Sequence, residues 1–153
     1  MALPQTTYSD RLRPAVVGMI ANSRPKDVVS KIIEPAGGAG FGVPVYQGTA
    51  ANQVTTTLNT KPMGVTIRDV TLVRAGGDDA NVDKFKQGET AAVLREGIIW
   101  VQASVAVAVG DPVYATPAGA WTNVSNGGAN AAFKGRWDSA TAGIGIARVE
   151  LLK

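Results

Sequence analysis

The alternation of apolar and more polar side chains is clearest between residues 98 and 109. One face of an extended chain there would be entirely apolar, carrying Ile99, Val101, Ala103, Val105, Val107 and Val109. A period of two over this length predicts a β-strand, because successive side chains of a strand point to opposite faces. We expect Ile99, Val101, Val105 and Val107 of this face to be buried with Ala147, Val149 and Leu151, which share one face of the last predicted strand.

Short apolar runs separated by glycine and proline make up most of the remaining sequence. Residues 28–33 are predicted to form a strand, since β-branched residues and the following Pro35 outweigh a helix capped by Ser23. The segment 95–97, Arg-Glu-Gly, predicts a hairpin connection between a strand at 91–94 and the strand at 98–109. About ten such strands indicate an all-β fold, either a barrel or a jelly-roll-like sandwich.

A pentapeptide of the form Gly-X-Pro-Val-Tyr occurs twice, at residues 42–46 and 110–114. Each copy is followed by an apolar strand that carries an arginine, at residues 64–70 and 145–151. This pairing predicts a repeated β unit. We therefore expect a single β domain over residues 25–153, built from two related halves at 25–75 and 91–153.

The composition argues against most enzyme chemistry. The chain has 153 residues and 45% hydrophobic content, which suits a folded domain, but it has no histidine and no cysteine. Disulfides, thiolate zinc sites, cysteine nucleophiles and histidine bases are thereby excluded. Serine, lysine and acidic residues are present, yet no pattern places a nucleophile beside a base. We expect a protein without enzymatic activity, without a cofactor and, since no signal-peptide pattern is visible, without secretion by a cleaved signal.

One acidic segment has the spacing of a calcium-binding loop. Asp79, Asn81 and Asp83 place oxygen-bearing side chains at alternate positions. However, Lys84 stands where such a loop needs glycine, and Thr90 replaces the closing acid. A solvated loop tip is the better interpretation, so no metal site is predicted.

The net charge of +3 lies in the N-terminal fifth of the chain. Residues 1–31 carry five basic and two acidic residues, whereas the rest carries ten of each. A basic segment attached to a neutral β body is typical of an arm that reaches an acidic partner. We predict an extended arm over residues 1–24; a solvated tail is the alternative.

Several motifs resemble those of one known family. They are residues 41–45, 110–114, 119–123, 136–143 and 146–151. In their order and in the length of the chain, they resemble the structural cement, or head decoration, proteins of tailed bacteriophages. Members of that family are β-rich, lie outside the major capsid shell and bridge neighbouring capsomers during or after head expansion.

This resemblance implies a function, a location and partners. The chain would bind the outer surface of the capsid, with the major capsid protein as its partner and with itself as a homo-oligomer, a dimer being favoured over a trimer. No membrane and no direct nucleic-acid contact are expected. The predicted capsid contacts combine an apolar anchor with basic residues of the arm and its flank, and are Tyr8, Arg11, Arg13, Arg24 and Lys26. The alternative is a virion adhesin or a module that binds glycans or nucleic acids, which would need clustered exposed aromatic residues or show steep salt dependence.

Overall fold

A computed structural model describes residues 15–71 and 84–153 of the chain. These residues form eleven β-strands and one short 3-10 turn, Asn126–Gly128. The strands are β1 (Asp27–Ile33), β2 (Ala39–Gly40), β3 (Pro44–Gln47), β4 (Gln53–Thr55), β5 (Pro62–Thr66), β6 (Lys84–Phe85), β7 (Thr90–Ala103), β8 (Pro112–Ala115), β9 (Trp121–Thr122), β10 (Ala131–Trp137) and β11 (Gly145–Leu151). The all-β class predicted from the sequence is confirmed.

The strands on the N-terminal side close into a ring of five. β1 runs parallel to β4, and β4 pairs antiparallel with β3. β3 then pairs with β5, β5 with the first half of β7, and that half of β7 with β1, all antiparallel. The interior of this first barrel, together with the small β2–β6 ribbon, is filled by Ile33, Ala39, Phe41, Val45, Val54, Phe85, Ala91 and Val93.

A second ring of five strands follows, and it shares β7 with the first. The second half of β7 runs parallel to β9, and β9 pairs antiparallel with β8. β8 pairs with β10, β10 with β11, and β11 with β7, all antiparallel. The core of this second barrel includes Ile99, Val101, Ala103, Val107, Val113, Ala115, Trp121, Phe133, Trp137, Ala147, Val149 and Leu151.

The two barrels have the same strand order and the same strand directions. In chain order, β1, β3, β4, β5 and the first half of β7 correspond to the second half of β7, β8, β9, β10 and β11. Pro44 and Pro112 begin the second strand of each barrel. The preceding glycines, Gly42 and Gly110, both have positive φ, at 67° and 92°. The predicted barrel is therefore confirmed, and the repeated pentapeptide occupies the same position in both rings.

The hairpin predicted at residues 95–97 is wrong, because β7 continues through this segment as one strand of 14 residues. A β-bulge stands in place of the turn: Asp27 of β1 lies opposite Glu96, but the next residue, Val28, lies opposite Leu94. Such a bulge bends a strand without reversing it. Glycine at position 97 (φ 132°) extends the bend, and the strand passes from one barrel to the other.

The predicted strand at 98–109 also ends early, at Ala103. Ile99 and Val101 are nevertheless buried as expected, in one core with the apolar face of β11, whereas Val105 is only partly buried against that core because it lies beyond the end of the strand. Val107 joins the same core through a bridge to Thr141. Val109, at the end of the same sequence pattern, is 68% exposed because the chain has already reached the turn before β8.

Residues 15–21, within the segment predicted as the arm, lie against β7. The backbone N–H of Gly18 donates to the carbonyl oxygen of Trp100 at 2.7 Å, and the N–H of Trp100 donates to the oxygen of Met19 at 2.9 Å. The remainder of the segment, residues 1–14, lies outside the described residues. The division of the chain into an arm over residues 1–24 and a β domain over residues 25–153 stays a prediction.

Aromatic side chains join the two barrels. Phe133 of the second barrel contacts Tyr46 of the first, with ring centroids 5.9 Å apart, and packs edge-to-face on Trp121. The indole Nε1 of Trp121 donates to the carbonyl oxygen of Gly42 at 2.7 Å, in a buried position. These contacts make the junction a buried, packed interface. Burial there raises the pKa of the Tyr46 hydroxyl to about 12.

Two glycines in equivalent strands allow a neighbouring backbone to approach closely. An added Cβ would lie 2.1 Å from the oxygen of Leu94 at Gly64 in β5, and 2.2 Å from the oxygen of Glu150 at Gly135 in β10. We expect Gly64→Ala and Gly135→Ala each to lower the free energy of unfolding by about 1–3 kcal/mol, measured by urea denaturation. Gly143→Ala, with open space around its Cβ, is the control. Equal denaturation midpoints for all three variants would contradict the close approach.

The buried Tyr46 hydroxyl predicts a loss of stability at high pH. An unfolded chain releases the tyrosine proton near pH 10, whereas the folded chain keeps it to about pH 12. Stability therefore falls as the pH rises between these values. We expect Tyr46→Phe to weaken this fall and, because the hydroxyl has no hydrogen-bond partner among the described residues, to leave stability at pH 8 unchanged or higher. Identical pH profiles of chemical denaturation for the two proteins would refute this assignment.

Candidate partner-binding surfaces

Charged residues gather where β1 begins, β7 bends and β11 ends. Glu96 of β7 lies opposite Asp27 of β1, Gly97 lies opposite Leu151 of β11, and the Cβ of Lys26 lies beside Gly97. We call this region the basic end; it comprises the cations Arg24, Lys26, Arg95, Lys134, Arg136 and Lys153 and the carboxylates of Asp27, Glu96 and Glu150. With six cations against three carboxylates, it carries an excess of positive charge that favours acidic partners.

Glu150 holds two of these arginines. The residue is 9% exposed, and its carboxylate accepts hydrogen bonds from Nε of Arg136 at 2.7 Å and from Nη1 of Arg24 at 3.2 Å. Both arginine side chains stay more than half exposed, at 59% and 65%. Arg24 therefore connects the segment before β1 to β11 while its guanidinium still faces solvent.

Asp27 faces two further cations, but at longer range. Nη1 of Arg95 and Nζ of Lys153 each lie 3.7 Å from its Oδ2 atom. This distance allows electrostatic attraction but exceeds a hydrogen bond. The N–H groups of both cations therefore remain able to donate to an added acceptor.

A cleft of about 510 Å³ opens between the two barrels at the basic end. Three cations line it, Arg95 of β7, Lys134 of β10 and Lys153 after β11. The other lining residues are mainly apolar or small, namely Thr60, Pro62, Met63, Gly64, Ala132, Phe133, Leu151 and Leu152. The cleft thus combines an apolar wall with positive charge.

A second depression is almost entirely apolar. This groove of about 330 Å³ lies between the barrels and is lined by, among others, Val17, Phe41, Val43, Trp121 and Ile144. Ile144 is 79% exposed, which is unusual for an isoleucine. The groove is a further surface suited to contact with another protein.

Tryptophan side chains do not form a ligand-stacking platform in the described part of the chain. Trp121 and Trp137 are 1% and 0% exposed and belong to the core of the second barrel. Trp100 is half-buried, with the guanidinium of Arg148 5.5 Å from its ring centroid. This arrangement lacks the exposed aromatic groove that a glycan-binding module needs.

Acidic residues outside the basic end also make local hydrogen bonds. Asp111, in the second pentapeptide, accepts hydrogen bonds from the backbone N–H of Ala108 and from Nδ2 of Asn123, which lower the pKa of its carboxyl group. Among residues 15–71 and 84–153, no three acidic side chains lie close enough together to hold a metal ion. The calcium-like segment at residues 79–83 falls outside the described residues.

Two of the five predicted contact residues, Arg24 and Lys26, lie together at the basic end. Tyr8, Arg11 and Arg13 fall outside the described residues. The sequence reasoning missed the other cations of this end because they belong to separate strands and form no local pattern. These cations lie together because the closed ring places β7, β10 and β11 side by side. This long-range strand pairing has no signal in the local sequence.

The fold defines the class as an all-β double barrel with a charged cleft and an apolar groove between its two barrels. Within the described ranges, no helix has the length and apolar character needed to cross a membrane. A search of curated proteins returns no significant match. Among solved structures, a chain from "The capsid of Myoviridae Phage XM1" is similar, with a TM-score of 0.71, 18% identity and coverage of 100% of this chain and 99% of that chain. At this identity the likeness shows a shared fold.

The sequence identifies the family directly. Residues 4–152 match the family described as "Structural cement protein (E217 gp24/Pam3 gp6)". Because this match covers nearly the whole chain, the protein belongs to the phage structural cement protein family. The resemblance seen in the sequence motifs is confirmed, and with it a capsid-associated structural role in the virion.

The Glu150 cluster can be tested by removing its charge. We expect Glu150→Gln to lower the free energy of unfolding by about 0.5–1 kcal/mol, because two mostly exposed arginines lose their shared carboxylate. Glu96→Gln is the matched control, since Glu96 makes no ion pair with the described residues. Urea denaturation at low and high salt should show a difference between the variants that shrinks as salt is added. A salt-independent difference would argue against electrostatic pairing.

Proposed function

We propose that this protein binds the outer surface of the major capsid shell and stabilises the shell by bridging capsomers. The observation that carries this proposal is the basic end, where charges from four parts of the chain converge on one region of the double barrel. The family match supports the capsid as the partner. The shared core strand and the packed aromatic junction support a body stiff enough to hold two neighbouring subunits together.

Stabilisation by such a protein is mechanical and non-covalent. A chain that binds the assembled lattice more tightly than separate subunits shifts the equilibrium toward the lattice, because disassembly would release its contacts. Oligomerisation would strengthen the effect, since a second contact within one oligomer becomes intramolecular. A dimer on the capsid is the arrangement we favour, with a trimer as the alternative.

The N-terminal segment is proposed to add further contacts with the shell. Tyr8, Arg11 and Arg13 are proposed to bind the shell together with Arg24 and Lys26. Arg24 and Lys26 lie at the basic end, so contacts from residues before position 15 would add to those made by the body. Binding by the basic segment also agrees with the four basic residues and one acidic residue that residues 1–26 carry.

The glycan-binding alternative is less well supported. Trp121 and Trp137 would have to leave the core to stack on a sugar. A nucleic-acid partner would use the basic end as well, but stacking on bases needs exposed aromatic faces.

The test uses heads of the phage that encodes this chain, prepared without the protein. Added protein should co-sediment with the heads and raise the temperature at which they release DNA. Removing residues 2–14 should leave a folded protein, because residues 15–21 keep their pairing with β7, but should weaken co-sedimentation.

Two controls accompany this experiment. Thermal unfolding checks that the shortened protein is folded, and Lys31→Gln removes one positive charge from an exposed site whose Nζ donates to the oxygen of Ala51. The full-length protein failing to sediment with heads would contradict the proposed function. Wild-type occupancy by the shortened protein would contradict only the role of the N-terminal segment.

A further inference from the structure

We propose that the cleft between the two barrels is the docking site for an acidic segment of the capsid shell protein. The inference rests on the proposed function and specifies its partner contact. The segment would place one or more carboxylates among Arg95, Lys134 and Lys153 and an adjacent apolar side chain against the cleft wall.

The charges of the cleft are incompletely balanced within the described chain. Asp27 is the acidic residue that pairs with its cations, and it lies 3.7 Å from both Arg95 and Lys153. Lys134 makes no ion pair with the described residues. A carboxylate that enters the cleft would therefore meet three cations, two of which are paired with Asp27 only at 3.7 Å. It would form the short charge-assisted hydrogen bonds that Asp27 does not make.

The apolar lining indicates that the ligand of the cleft carries apolar as well as acidic side chains. Met63, Phe133 and Leu152 line the same cleft as the cations, and Leu152 is 50% exposed. A volume of about 510 Å³ holds several side chains. A peptide with alternating acidic and apolar residues satisfies both parts of this lining, whereas a simple anion would use only the charges.

Two other occupants fit less well. The described residues carry twelve cations and eight carboxylates, so a second copy of this chain would bring more positive charge to a positive site. A nucleic-acid strand would satisfy the cations, but Phe133 is 8% exposed and presents no open ring face for a base. The acidic peptide is therefore the occupant that the contacts favour.

The first experiment follows binding directly by NMR on the full chain labelled with ¹⁵N. The probes are a synthetic peptide that repeats Glu-Leu-Glu, its Gln-Leu-Gln counterpart and a single-stranded oligothymidylate. We expect the Glu peptide to shift the amide signals of Gly64, Ala132 and Leu152 and the Gln peptide to leave them in place. Binding of the oligothymidylate at this site in preference to the Glu peptide, or equal effects of the two peptides, would overturn the proposal.

The second experiment compares two charge reversals of the same size. Lys134→Glu puts a negative charge into the cleft and should weaken Glu-peptide binding and head occupancy about tenfold or more, because attraction becomes repulsion. Lys31→Glu makes the same charge change at a site outside the cleft lining and should leave both near wild type. Thermal unfolding verifies that both variants are folded, and Arg95→Gln provides a milder second cleft variant.

The outcomes separate this inference from the proposed function. Loss of occupancy with Lys134→Glu and Arg95→Gln, but not with Lys31→Glu, supports the cleft as the docking site. Wild-type occupancy of heads by folded Lys134→Glu overturns the cleft and leaves the proposed function intact. Failure of the wild-type protein to decorate heads overturns both.

Discussion

The shared strand β7 is the constraint on which the rest of the structure depends. Val93 and Leu94 are consecutive, so their side chains point to opposite sides, yet both are fully buried because a barrel core lies on each side. A one-residue slip of this strand would move side chains between the two cores and disturb both rings. The bulge beside Arg95 and the bend at Gly97 satisfy both barrels at once, and they also create the junction in which the charged cleft lies.

Local patterns predicted the elements of the fold better than their connections. The period of two between Ile99 and Ala103 correctly predicted a strand with one buried face. The repeated Gly-X-Pro-Val-Tyr correctly predicted a pair of equivalent strands. Both patterns depend only on residues that are neighbours in the sequence. The sequence Arg-Glu-Gly at 95–97 has the same local character as a turn. Whether it reverses or only bends the chain depends on pairing with β1, β5 and β11, which are distant in sequence.

The candidate site was less predictable for the same reason. The excess of positive charge in the N-terminal fifth is visible in the sequence, and it led to the prediction of Arg24 and Lys26 as contact residues. Lys134 and Lys153 look like ordinary exposed lysines until β10 and β11 are placed beside the bend of β7. A cleft that combines cations with apolar side chains is a property of ring closure, and it follows from the topology rather than from any single motif.

The packed double barrel carries the charged cleft at its basic end. We propose that the basic end is the side of the protein that meets the capsid shell. The most direct measurement is a cryo-electron microscopy reconstruction of heads decorated with this protein, at a resolution that places the barrels. We expect density outside the shell with the cleft between the barrels turned toward the capsid surface. Density on the shell with the basic end pointing into solvent would contradict it.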